Sequence, residues 1–194
     1  MARWEPGTFE RLRAAALTLY DEQGFEKTTV AQITERAGMN RRTFFHHFAD
    51  KREVVFAGQD QSEEFIAAEI RNQPEGTDPL HAAVAGLAAA ADQIYEQFRD
   101  GAVLLGRVIA ASPELQEREL VKRSTLAARI AAALRERGTA ETAATVAGWT
   151  AVAIFFVARN QWNQPGNEHT LADLITTTLQ EFLSATRSTP SRTP

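Results

Sequence analysis

The side chains best placed to act on another molecule lie in one run, Asn40-Arg41-Arg42-Thr43, followed by Phe45, His46, His47 and Lys51. Their chemistry is recognition. An arginine can donate two parallel hydrogen bonds to guanine O6 and N7, and a threonine methyl can meet a thymine methyl. Arg41, Arg42 and Thr43 therefore read as base readers, and Phe45 and His46 are grouped with them. Thr29, His47 and Lys51 suit phosphate: Thr29 stands at a helix N-terminus, His47 can donate a ring N–H, and Lys51 carries an ammonium. Other chemistries find little support. His46 and His47 point about 100° apart on a helix and have only Asp50 at helical spacing, so no metal site is expected. The chain has no cysteine, four histidines, no Ser/His/Asp order and no Gly-rich phosphate loop, so neither an enzyme nor a cofactor is expected.

The elements that must position these residues are helices. Thr29 with Gln32 forms a capping box that starts a short helix at Val30, and Val30, Ile33 and Ala37 share one face of it. Gly38 allows a tight turn. Asn40 caps the next helix, with Met39 and Phe44 spaced as a hydrophobic staple. Phe44 and Phe48 turn one face toward a core, and Phe45 also reads first as a core aromatic. Two short helices joined by a Gly-bearing turn, the second with an exposed polar start, describe a helix-turn-helix. The N-terminal residues of such a second helix meet base edges in the major groove.

The bulk properties frame this reading. The formal net charge is −4, but residues 1–57 carry 9 Lys/Arg against 8 Asp/Glu, and residues 27–52 carry six against two. Local cations displace phosphate counterions, so the local balance matters more than the sum. The first residues, MARWEPGTFERLR, lack the apolar stretch of a signal peptide. The most apolar run, 151–158, is far shorter than the roughly 20 residues that span a bilayer. A cytoplasmic protein without a membrane partner is expected.

Apolar spacing near 3.6 and successive start and stop signals predict an all-α chain of about nine helices. The first runs from about Thr8 to Gln23 before Gly24. Asp50 and Glu53 read as a capping box opening a helix to about Asn72. Asp78-Pro79 starts a segment reaching about Arg99, and 101–111 forms a short helix. Ser112-Pro113 starts a charged helix ending near Arg137, then come an apolar helix at about 141–162 and a last one from Thr170 to about Ala185.

The stretch 24–51, GFEKTTVAQITERAGMNRRTFFHHFADK, closely resembles the signature of TetR/AcrR-family repressors. The matching residues are Gly24, Thr28, Thr29, Val30, Ile33, Ala37, Gly38, Thr43, Phe44, His47, Phe48 and Lys51. Arg42 stands where many members carry Gly, Phe45 where Tyr is common, and Asn40 where Ser is frequent. The resemblance implies a three-helix head at 1–50, a ligand-binding and dimerisation body at 51–186, and a tail at 187–194 that composition marks as disordered. It further implies a homodimer on a palindromic double-stranded DNA operator, released by a small-molecule effector. An adaptor whose head contacts protein instead of DNA is the competing reading, favoured by the overall acidity.

For the body, the apolar run 148–158 demands burial on every side, and Leu171, Leu174, Ile175, Leu179, Phe182 and Leu183 form a broad stripe. The family places its dimer interface on the last two helices. The candidate effector residues are Tyr95, Phe98, Leu105, Arg107, Trp149, Phe156 and Arg159. Arg107 and Arg159 interrupt apolar helices, and either would suit an acidic, acyl-CoA-like effector. Ion pairing or snorkelling accounts for such arginines as well.

Overall fold

A computed structural model describes residues 7–187. Among these there are nine α-helices and no strand. They are α1 Thr8–Gln23, α2 Val30–Ala37, α3 Arg41–His47, α4 Gln59–Arg71, α5 Pro79–Ala90, α6 Arg99–Ala110, α7 Pro113–Glu136, α8 Glu141–Trp162 and α9 Leu171–Arg187. The expected tail lies outside the described residues except for Arg187, which ends α9.

The chain forms two compact units, and they do not follow a single cut. Of the described residues, the first comprises 7–59 together with 100–121; the second comprises 60–99 and 122–187. In the first unit α1, α2 and α3 pack around Leu12, Ala16, Ile33, Phe44 and Phe48. Val108, Ile109 and Leu115, from α6 and the start of α7, are buried in the same core. Polar links join these segments too: Arg107 pairs with Asp21 at 3.2 Å, and Arg118 with Glu53 at 2.8 Å.

One expected helix is corrected. Residues 51–58 form turns, and α4 begins only at Gln59. Asp50 does cap locally, accepting from the backbone N–H of Arg52 at 2.7 Å and Glu53 at 3.1 Å. Glu53 does not complete the box, because its carboxylate holds Arg118. Gly58 then takes φ +84°, outside helical geometry, so no helix can run through it.

In the second unit α5, α8 and α9 pack on one another. Residues 79–110 hold no true break: α5 passes through a π-helical stretch, 91–95, and a 3-10 turn, 96–98, into α6. Helix α8 is longer in apolar character than the eight-residue run suggested; by length and composition it could cross a membrane. Its buried residues, among them Ala144, Ala151, Ile154, Phe155 and Trp162, instead meet neighbouring helices, as an interior helix requires.

Candidate nucleic-acid interface

The local chemistry that starts α2 and α3 is what places the candidate residues. Thr29 Oγ1 accepts from the Gln32 N–H at 3.3 Å, while the Thr29 N–H donates to Gln32 Oε1 at 2.8 Å. The capping box is therefore complete. The first turn of α2 keeps further backbone N–H groups without intrahelical acceptors, as every helix start does. Gly38 follows with φ +68°, and Arg11 donates to the Ala37 carbonyl at 2.7 Å, tying α1 to this turn. A Cβ at Gly38 would come within 3.3 Å of the Arg11 guanidinium.

Asn40 caps α3 through Oδ1, which accepts from the Thr43 N–H at 2.9 Å and from the Thr43 hydroxyl at 3.0 Å. The second bond sharpens the role of Thr43. Its hydroxyl proton is already engaged, which leaves the methyl group and the oxygen lone pairs for any partner. Phe44 is fully buried and Phe48 nearly so, with Met39 packed against the same core. The opposite side of α3 is thereby fixed outward. Arg41 and Arg42 are exposed there and make no hydrogen bond or ion pair with any described residue. Phe45 is half exposed, with its ring edge-on to Phe44, so it is a surface aromatic and not a core one. His46 and His47 are exposed and lie edge to face, and His47 also meets the Phe9 ring.

Two nearby cations of this unit are neutralised by acids. Arg36 pairs with Glu22, and Arg52 pairs with Asp50 at 2.7 Å. Burial works against the Asp50 charge, but hydrogen bonds from Arg52 and from two backbone N–H groups hold its carboxyl below the usual range. The contrast leaves Arg41 and Arg42 as the uncompensated pair on α3.

Lys51 departs from its expected role. Its ammonium donates to the carbonyls of Phe25 at 2.8 Å, Thr28 at 3.1 Å and Glu26 at 3.4 Å, and it sits 4.2 Å above the Phe25 ring. An ammonium has three protons, and three acceptors occupy them. Tyr20, edge-on to Phe25, completes the strap by donating to the Lys51 carbonyl at 2.6 Å. Burial, with the Asp50 charge adding to it, pushes the Tyr20 hydroxyl far up from its ordinary value, so it remains a donor. The geometry makes Lys51 a clasp across the α1–α2 turn. Lys51→Ala is expected to lower stability by about 1–2 kcal/mol, leaving buried carbonyls unpaired. The check is a thermal unfolding scan beside a salt titration of duplex binding. A fall in midpoint with an unchanged salt slope fits a clasp; the reverse pattern fits a phosphate contact.

The candidate effector residues do not gather in one place. Leu105 and Arg107 belong to the first unit, Leu105 packed against the head core and Arg107 paired with Asp21. The spacing of Leu104, Leu105, Val108 and Ile109 is the signal that α6 had a core to serve. In the second unit Phe98 is more than half exposed. Trp149 is half exposed beside a groove lined by Ala127, Ala128 and Ala131 of α7. Tyr95 packs on Phe155 at 5.8 Å between ring centres, and Phe156 takes the guanidinium of Arg159 at 4.4 Å. Missed by the sequence reading were Arg123, which stands 3.8 Å over Phe156, and Trp162, buried at the end of α8.

Residues 12–57 match the family model described as bacterial regulatory proteins, tetR family. The HTH-type transcriptional regulator TcmR of Streptomyces glaucescens is 31% identical over 135 residues, covering 67% of this chain and 60% of that protein. The chain thus spans about three fifths of that relative's length. Among solved structures, a Thermus thermophilus FadR in complex with lauroyl-CoA shares 21% identity and a TM-score of 0.55, covering 96% of this chain and 98% of the other. SmeT, the repressor of a Stenotrophomonas maltophilia efflux pump, in complex with triclosan, shares 19% and a TM-score of 0.62, over 92% and 90%. FadR of Bacillus halodurans shares 18% and a TM-score of 0.58, over 95% and 99%. These three share the fold.

Proposed function

Because this chain belongs to the TetR family of bacterial regulatory proteins, we propose that it is a dimeric, effector-responsive transcriptional repressor acting in the cytoplasm. The observation that carries the reading is α3, whose capped start exposes Arg41 and Arg42 unpaired while Phe44 and Phe48 hold its other side in the core. In this assignment residues 1–50 read DNA and residues 51–186 bind effector and partner. Arg41, Arg42 and Thr43 meet bases, with Phe45 and His46 beside them on the groove-facing side. Thr29, Asn40 and His47 stand at the phosphate-facing margins. The role is regulatory and not enzymatic.

The dimer is supported by α8. Val146, Trp149 and Val157 are about half exposed and share a helical face. A face so apolar is stable only when covered. A second copy covers it and sets two recognition helices on two half-sites, roughly one helical turn apart. The effector is a small molecule that must bind the DNA-incompetent state more tightly, since equal affinity for both states shifts nothing. An acyl-CoA-like compound is the first class to test, in view of the lauroyl-CoA held by the Thermus thermophilus FadR.

The test is binding to a duplex recovered by selection from a random library, measured across salt concentrations, with sedimentation of the free protein. Affinity should fall steeply with salt, as phosphate contacts release counterions. Trp149→Lys should turn the dimer into a monomer and remove tight duplex binding with it. Duplex binding that ignores salt, or none at all, refutes the regulator and leaves the protein-contacting adaptor. A dimer unchanged by Trp149→Lys moves the interface away from α8.

A further inference from the structure

The interior of the second unit carries more polar chemistry than its packing needs. On α8, Phe155, Arg159 and Trp162 recur at helical spacing and so share one face. Opposite them, Tyr95 closes the π-helical stretch and packs on Phe155 with the rings tilted by 46°, and Arg99, four residues on, places its guanidinium over the Trp162 ring at 5.6 Å. Two rungs of aromatic contact result, one at Tyr95–Phe155 and one at Arg99–Trp162. π-Helical insertions inside α-helices concentrate at functional sites, because they re-aim a side chain that regular spacing would point elsewhere.

Near these rungs buried donors and acceptors both occur, and the Asn163 Oδ1 acceptor, like the Trp162 N–H, lacks a partner among the described residues. Trp162 is 2% exposed, and its indole N–H has no acceptor among the described residues. A buried donor left unpaired is rare and costly, which makes it a signature of a missing acceptor. Arg123 and Arg159 bring two guanidiniums to the single ring of Phe156. Both have other partners nearby, but each offers five N–H donors. The opposing charge in the neighbourhood is accounted for: Glu63, buried on α4, is held by Arg129 at 2.8 Å, and Glu96 pairs with Arg99. Arg99 itself donates to the Asn167 carbonyl and so is tied to the α8–α9 connection.

We propose that this centre is the effector site, and that it takes the carboxylate or thioester oxygen of an organic acid whose apolar body lies along Phe155 and Phe156. Trp162 Nε1 and the Arg159 guanidinium are its anchors, with Arg123 as the second cation. The assignment rests on the reading of the chain as an effector-responsive regulator and names the residues and the chemistry of that response. It moves the site away from Leu105 and Arg107.

The experiment is calorimetric titration of the full chain with dodecanoate, 2-naphthoate and lauroyl-CoA, with dodecanol as the uncharged control. At least one oxygen acid or thioester should bind, and dodecanol should bind at least about tenfold more weakly than dodecanoate, since its hydroxyl oxygen carries no charge to form charge-assisted hydrogen bonds with the guanidiniums. Binding of dodecanoate alone identifies a free fatty acid, of 2-naphthoate alone an aromatic acid, and of lauroyl-CoA alone the thioester. Trp162→Phe keeps the ring and removes the N–H, and should weaken binding about tenfold. Arg159→Met should weaken it at least as much; if that variant does not fold, Arg159→Lys, which keeps charge but loses the fork, should still weaken binding severalfold. Binding of none of the three ligands overturns the proposal, as does binding that both substitutions leave intact. Wild-type duplex binding measured on the same preparation separates the cases. If it persists while the acids fail, only the site is wrong; if it is absent, the regulator itself is.

Discussion

Arg42→Ala should weaken binding to the selected duplex about tenfold to a hundredfold and relax base preference at one position of each half-site. The magnitude is that of one bidentate arginine contact, about 1–3 kcal/mol. The structure supplies the reason to expect the upper part of the range. Arg42 is exposed, near the start of a helix whose cap is intact, and no neighbouring carboxylate competes for its guanidinium. Arg36 and Arg52 offer the contrast, since both already hold acids. Truncating either should change duplex binding little. The measurement is quantitative selection with wild type and variant on one library. A uniform loss of affinity over all sequences makes Arg42 a phosphate contact, and an unchanged preference removes it from base readout.

The second large effect is on stability. A Cβ at Gly148 would stand 2.6 Å from the Ala127 carbonyl oxygen and 3.4 Å from the Ala131 nitrogen. Both are backbone atoms of α7, so no side chain can swing aside. α8 and α7 approach as closely as they do because residue 148 has no side chain. Gly148→Val should destabilise the protein by about 3 kcal/mol or more, at the top of the range for overpacked cores. In a chain of this size that lowers the unfolding midpoint by roughly 6–12 °C. Gly101 is the control. It lies in α6 with nothing within 4 Å of an added Cβ, so Gly101→Ala should be neutral or gain about 0.5–1 kcal/mol from helix propensity. Equal effects of the two would show that the helices can move apart.

The parts of the site that local rules build were legible in the residue order. Thr29, Asn40 and Asp50 cap where short-range spacing places them, since each bond reaches no more than three residues. The bounds of α1, α2 and α8 follow equally from local stop signals. What escaped reading depends on segments far apart in the chain. Lys51 looks like a free cation in sequence, because the carbonyls it serves lie 23–26 residues earlier. Arg107 looks like a charge stranded in an apolar helix, because its partner Asp21 is 86 residues away. The turns at 51–58 defeated the helix reading for a different reason. Their apolar residues Val54 and Val55 are buried in the head core and so imitate a helical stripe.

The sharing of that core has a practical meaning for modularity. Val108, Ile109 and Leu115 reach the head from a segment some fifty residues beyond it. The part proposed to read DNA is therefore a discontinuous module, with its own amino-terminal residues supplying the surface and a borrowed insert supplying part of the floor. A chimera that splices residues 1–50 onto a foreign body would inherit the recognition helix without the floor beneath it. A graft intended to carry operator specificity has to bring 100–121 along, or find a recipient whose corresponding helix presents the same three aliphatic side chains.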